Sequence, residues 1–225
     1  PQINFFKNYF RVITPDLPGF GKSNKIKPHN SIQSIANLLL DSLSKKKIDK
    51  FNLLGHSMGG MIVQEMAKIG GNKISKLICY STGPRGEMPG RFETVDQSRE
   101  KIKRNGLEIT AKNIAKTWFI KGENAKYFDI CVKSGKKTSI EAVDNAFIAF
   151  KNWNGVDTLK NIKNETLIVW GDHDKSYNIE QTQALKKNIL NSSLVIFNGC
   201  AHNIHLEKVN EFNNTIYDFL LKTQS

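Results

Sequence analysis

Apolar residues recur along this chain at two spacings, and the alternation between them lays out an α/β architecture. Ile32, Ile35, Ala36, Leu39, Leu40 and Leu43 fall three and four apart, one face of a helix, with Asn30 or Ser31 as its cap. Met58, Met61, Ile62, Met66 and Ile69 repeat that spacing until Gly70-Gly71 stops it. Residues 11–14, 50–54, 76–80, 166–170 and 193–197 are apolar runs too short for helices and bounded by turn residues, so they read as buried strands. From residue 85 to about 160 the periodicity is helical throughout. Val209, Phe212, Ile216, Phe219 and Leu220 then give a last amphipathic helix that should cover a sheet.

Chemistry enters where the second strand-like run meets a helix, at Gly55-His56-Ser57-Met58-Gly59. A side chain at the apex of a sharp strand-to-helix turn needs small neighbours two residues before and after it, which Gly55 and Gly59 supply. The first N–H groups of the following helix, Met58 foremost, then face the same space and can hold a developing oxyanion. A serine hydroxyl is a poor nucleophile near neutral pH, so it needs a histidine to take its proton and a carboxylate to orient that histidine. Downstream, Gly171-Asp172-His173-Asp174 follows one strand and Asn198-Gly199-Cys200-Ala201-His202 follows another. The order is serine, acid, base; Asp172 and Asp174 share one turn, and chemistry alone does not choose between them.

With these motifs, and with Thr14-Pro15-Asp16-Leu17-Pro18-Gly19-Phe20-Gly21-Lys22-Ser23 ahead of them, the chain resembles the α/β-hydrolase superfamily, specifically its esterase-like members with a helical cap. The resemblance implies a mostly parallel sheet flanked by helices. It implies a core in two parts, residues 1–84 and 161–225, separated by a helical cap at 85–160. It assigns Ser57 as nucleophile, Asp174 as acid by its place three residues after Gly171, and His202 as base, followed five residues later by Glu207. His205 fits that spacing less well. The Met58 N–H falls to the oxyanion hole.

The implied activity is a cytoplasmic serine esterase, cleaving a small carboxylic ester or related acyl compound through a Ser57 acyl-enzyme, with no cofactor and no metal. Carbon–carbon hydrolases, lactonases, thioesterases and cofactor-free haloperoxidases share the triad and stay open, as does the oligomeric state. Ala201, Thr166 and Val209 depart mildly from the family pattern. A larger departure lies upstream, where the family builds three strands and a second oxyanion donor ahead of the segment at 11–14. The expectation is therefore a longer protein, with roughly 40 to 60 further residues upstream. The rival reading is a truncated, weakly catalytic or non-catalytic small-molecule-binding homologue.

Composition narrows the partners. The chain has 225 residues and a formal charge of +12, and its lysines are scattered, with clusters only at 45–47 and 133–137. No aromatic-interleaved basic stripe accompanies them, which argues against a nucleic-acid partner; the small-molecule acyl substrate is what the resemblance implies. No apolar run approaches a membrane span. Cys79, Cys131 and Cys200 are odd in number and far apart, as in a reducing cytosol. His173, Asp174, His202 and His205 include zinc-ligand types, yet no Cys-x-x-Cys or His-Glu-x-x-His motif is present. The segment at 16–23 differs from a phosphate loop only in Asp16, and a carboxylate there disfavours polyphosphate. Trp118, Phe119, Phe147, Phe150 and Trp153 are expected mainly to pack a core.

Overall fold

The computed structural model describes residues 1–87, 90–136 and 138–221; Lys137 of the basic cluster and the last four residues of the segment 161–225 lie outside them. Four strands, β1 (Phe51–His56), β2 (Ile74–Tyr80), β3 (Glu165–Gly171) and β4 (Ser192–Phe197), form one parallel sheet in the order β1-β2-β3-β4. The register pairs Leu54 with Ile78, Cys79 with Ile168 and Ile168 with Leu194. Strands β2 and β3 are buried almost throughout, whereas β1 and β4 alternate toward solvent. That is the pattern of a parallel sheet covered by helices on both faces and thinning at its edges.

The alternation along β2 divides the core. Ile78 and Tyr80 pack with Leu167, Val169 and Phe197 against α1 (Gln2–Phe6) and α10 (Val209–Leu221) through Phe6, Phe212, Ile216 and Phe219. Leu77 and Cys79 face the opposite way. They pack with Ile168 against Val63 and Ala67 of α3 (Met58–Gly70) and Leu185 of α8 (Ile179–Asn188). Helix α2 (Ile32–Lys45) is capped by the Ser31 side chain and buries Ile32, Ile35 and Ala36 against Met61, Ile62 and Met66 of α3. The periodicity that marks these helices in the sequence thus reports faces buried in the tertiary structure.

Between β2 and β3 the described residues form four α-helices and no strand: α4 (Val95–Asn105), α5 (Leu107–Lys116), α6 (Phe128–Lys136) and α7 (Ile140–Asn152). The two ends of this insertion meet, for Gly86 N–H donates to Trp153 O (2.9 Å) and Gly155 N–H to Pro84 O (2.8 Å). Phe150 and Trp153 are buried against α2 and α3, while Phe119 joins Ala115, Phe128 and Val132 in a smaller cluster of its own.

The strand expected at residues 11–14 is not found; these residues are exposed and belong to no sheet. Among the described residues β1 pairs only with β2, and its other edge borders a groove of about 970 Å³ lined by Phe10, Val12, Ile13, Leu54 and Gly55. A strand is defined by a neighbour at ladder distance, and the apolar pattern at 11–14 has none there. No helix among the described residues is long and apolar enough to cross a membrane.

Candidate active site

Ser57 occupies the single residue between β1 and α3, with φ 56° and ψ −121°. A non-glycine residue pays strain for positive φ, and the surroundings hold it there. Its N–H donates to Tyr80 O (3.0 Å), and its carbonyl accepts from Thr82 Oγ1 (2.8 Å) and Gly60 N–H (2.9 Å). A Cβ on Gly55 would lie 2.1 Å from Gly59 O, and one on Gly60 would lie 2.4 Å from the Thr82 side chain. A Cβ on Gly59 would meet nothing within 4 Å. The steric need expected at Gly59 therefore belongs to Gly60, because the helix turns position 60 rather than 59 toward the strand-end residue Thr82. Met58 opens α3, so no intrahelical carbonyl reaches its N–H.

Asp174 and His202, 28 residues apart, meet in the interior. Oδ2 of Asp174 is 2.9 Å from Nδ1 of His202, with side-chain exposures of 0% and 2%. The other carboxylate oxygen accepts from the N–H groups of Ser176 (2.7 Å) and Tyr177 (3.2 Å). A carboxylate only accepts, so Nδ1 of His202 donates and Nε2 is left as an acceptor.

Asp172 takes a different job. Its Oδ1 accepts from Gly199 N–H (2.7 Å) and Cys200 N–H (3.3 Å) and pairs with His173 Nδ1 (2.6 Å). Burial works against its charge, but His173 and these N–H groups outweigh it and hold the carboxyl below its usual value. Asp172 thus anchors the start of the loop that carries His202.

The rest of that loop is tied down from three sides. Tyr80 Oη and His56 Nε2 both lie against the His202 carbonyl (3.0 and 3.1 Å), and His56 also lays its ring 4.4 Å from that of His202. With its one hydrogen given to that carbonyl, Tyr80 Oη accepts from His205 Nδ1 (2.9 Å) and His205 N–H (3.2 Å). Burial, and after it the neighbouring His202, lowers His56 well below an ordinary histidine and His205 to about 4. His205 thus faces Tyr80, and among the described residues no ion pair joins it to a carboxylate. Glu207 accepts from Ala201 N–H and from Ile120 N–H, both at 2.7 Å, and Asn203 N–H donates to Trp118 O (3.0 Å). The histidine loop is thereby joined to the chain just after α5.

Ser57 and His202 share neighbours. His56 precedes the serine and packs its ring, tilted by 41°, against that of His202, and the Tyr177 ring lies parallel to His202 (centroids 5.8 Å, 8° between planes) with its hydroxyl near those of Ser57 and Thr82. The Trp118 ring is 6.0 Å from His202. Sequence reasoning assigned no site role to Tyr177, Tyr80 or Trp118. Tyr80 is the last residue of its strand, at the carboxyl end of the sheet where functional loops gather, and Tyr177 stands three residues after Asp174; those positions are the available signal. Among the described residues no group of three or more His, Cys, Asp or Glu side chains is arranged to hold a metal ion. In the phosphate-loop-like segment Asp16 Oδ2 accepts from Lys22 N–H (2.9 Å), and a Cβ on Gly21 would lie 2.5 Å from the Asp16 carboxyl, so the loop is filled by its own carboxylate.

A strained serine at a strand-to-helix turn, a buried Asp–His pair from the next strand ends, and a parallel sheet agree with the family comparison, in which the alpha/beta hydrolase fold matches residues 2–209. The chain belongs to the α/β-hydrolase fold family. Among curated relatives of this α/β-hydrolase, the 2-hydroxy-6-oxononadienedioate/2-hydroxy-6-oxononatrienedioate hydrolase 1 of Pseudomonas putida is 30% identical, over 94% of this chain and 77% of that protein. The pimeloyl-[acyl-carrier protein] methyl ester esterase of Legionella pneumophila (strain Paris) is 29% identical, over 98% and 88%. Of solved structures, the enol-lactonase from Burkholderia xenovorans LB400 has a TM-score of 0.89 at 22% identity, covering 98% of this chain and 85% of its own. An esterase from Exiguobacterium antarcticum also reaches 0.89, at 23% identity and with coverage of 98% and 87%. At these identities the structures speak for the fold.

Proposed function

We propose that this α/β-hydrolase cleaves a small carboxylic ester or related acyl compound through an acyl-enzyme on Ser57. The observation that carries the reading is the sealed 2.9 Å contact between Asp174 and His202 beside the elbow serine. In the proposed cycle His202 Nε2 takes the Ser57 proton as Oγ attacks the carbonyl carbon, and the Met58 N–H receives the oxyanion at the positive end of α3. Protonated His202, stabilised by Asp174, then returns the proton to the leaving alcohol. Water repeats the sequence to release the acid and restore Ser57. The helices between β2 and β3 act as the cap, covering the strand ends.

No cofactor takes part in this cycle. Three free cysteines, two of them buried, suit a reducing cytoplasm. A second reading, hydrolysis of a carbon–carbon bond in an oxo-dienoate through the same proposed triad, is favoured by the similarity to the 2-hydroxy-6-oxononadienedioate hydrolase of Pseudomonas putida.

The test is labelling by a fluorophosphonate together with turnover of a panel of p-nitrophenyl esters and oxo-dienoates. Label on Ser57, with both label and turnover lost in Ser57→Ala, is the expected result. Full activity in Ser57→Ala would refute the mechanism, and an unlabelled, inert wild type would favour a binding protein.

A further inference from the structure

The last residues of β1 and β2 each reach both Ser57 and His202. His56 and Tyr80 are register partners, and their rings stack at 4.4 Å with 25° between planes. His56 is joined to Ser57 by a peptide bond, and its Nε2 lies 3.1 Å from the His202 carbonyl. Tyr80 makes the same connection the other way round: its carbonyl accepts from Ser57 N–H (3.0 Å), and its hydroxyl donates to the His202 carbonyl (3.0 Å). Serine and histidine are thus tied together twice, through the end of the sheet.

A carbonyl only accepts, so Nε2 of His56 carries the hydrogen and the ring is held in one tautomer. Tyr80 alone would satisfy that carbonyl. The second donor instead removes freedom, since a peptide can turn about one hydrogen bond but not about two that come from neighbouring strands. Asp174 fixes which way the His202 imidazole points, by its 2.9 Å contact with Nδ1. How far the ring stands from Ser57 is left to the backbone, which His56 and Tyr80 hold.

His56 is not equipped to act as a base itself. Its Nε2 hydrogen is given to the carbonyl, and among the described residues no ion pair joins it to a carboxylate. Burial, and after it His202 and His205, lowers it well below an ordinary histidine, so its ring is neutral near pH 7. A neutral ring 4.4 Å from that of His202 sets no charge against the imidazolium of the proposed cycle.

We propose that His56 is a positioning residue, whose hydrogen bond to the His202 carbonyl, with Tyr80 as its companion, fixes the reach between the base and the Ser57 hydroxyl. This rests on the serine-hydrolase reading and adds to it a residue that acts through His202.

The test sets His56→Phe, which keeps a ring on Tyr80 and removes the donor, against His56→Gln, whose amide extends about as far as Nε2 and can donate. On p-nitrophenyl esters His56→Phe should lose roughly ten- to a hundredfold in kcat, the scale of a misplaced reacting group, with KM within about threefold. The rate of Ser57 labelling by a fluorophosphonate should fall in parallel, and His56→Gln should recover most of both. A residue that only stabilised the fold would lower Tm and leave kcat of the folded enzyme as it was. If His56→Phe does not fold, His56→Asn, with the same amide held one carbon short, takes its place against His56→Gln.

Hydrogen exchange reads the tie without turnover. Protection of the N–H groups of Asn203 and His205, bonded to Trp118 O and Tyr80 Oη, should drop in the variant without a donor and return in His56→Gln. Wild-type kcat or unchanged protection in that variant, or a glutamine no better than it, would overturn the proposal. An inert wild type, or activity surviving in Ser57→Ala, would instead strike the underlying reading.

Discussion

Asp174 and His202 meet side chain to side chain at 2.9 Å, while Asp172, two residues earlier in the same turn, is spent on His173 and on the N–H groups of Gly199 and Cys200. The two carboxylates should therefore respond differently to the same substitution. Asp174→Asn is expected to lower kcat by about a thousandfold or more, since a neutral amide stabilises neither the imidazolium nor its tautomer. Asp172→Asn should cost less than tenfold in kcat and show instead as a lower Tm. Steady-state kinetics and thermal melts on the pair check this, and comparable losses of kcat would reject it.

The elbow glycines make a second contrast. Gly55→Ala and Gly60→Ala place a Cβ 2.1 Å from backbone and 2.4 Å from Thr82, so both should unfold the elbow or abolish Ser57 labelling. Gly59→Ala meets open space inside α3, where alanine is the better helix former by ~1 kcal/mol. It should label normally and melt no lower than wild type.

Acid stability follows from the imidazoles around Tyr80. His205 titrates near 4 in the fold against an ordinary 6.5, and His56 is also depressed. Between those values the unfolded chain binds protons that the folded chain refuses, so stability is fully present above about 6.5 and falls as pH drops toward 4. Each such group contributes a slope of about 1.4 kcal/mol per pH unit at most within that window. Urea unfolding at pH 7 and pH 5 measures the slope. His205→Asn, which retains an amide donor toward Tyr80, should flatten it.

Glu207 joins the loop of His202 to the chain after α5 through two 2.7 Å hydrogen bonds. Glu207→Ala leaves the Ala201 and Ile120 N–H groups without that acceptor and should cost about 1–3 kcal/mol of stability. Turnover should fall with it, because the loop that carries His202, the proposed base, loses its tether. Unchanged stability and turnover would show the tether to be dispensable.

Much of this fold can be read along the chain. The faces of α2, α3 and α10 and the four apolar runs that became β1 to β4 are local periodicities, and each element buries most of the side its spacing marks, with Leu54, Ile69 and Ile196 left exposed. Residues 11–14 carry the same apolar signal without forming a strand, since a strand needs a neighbour and one segment's pattern cannot supply it. Gly59 and Gly60 show the limit at the scale of a single turn. Both are glycines beside the serine, and only the packing of Thr82 tells which of them must lack a side chain.

By itself the sequence determined the alternation of strands and helices, the serine between two of them, and the later aspartates and histidine proposed as acid and base, because spacing and turn chemistry act between residues near in the chain. Only the tertiary structure decided which aspartate touches His202, that His56 and Tyr80 lie against the carbonyl of the same residue, and that the Tyr177 hydroxyl is left unpaired beside Ser57. Those relations join residues from 28 to 146 positions apart, and the packing of the sheet and its loops brings them within hydrogen-bonding and ring-stacking distance.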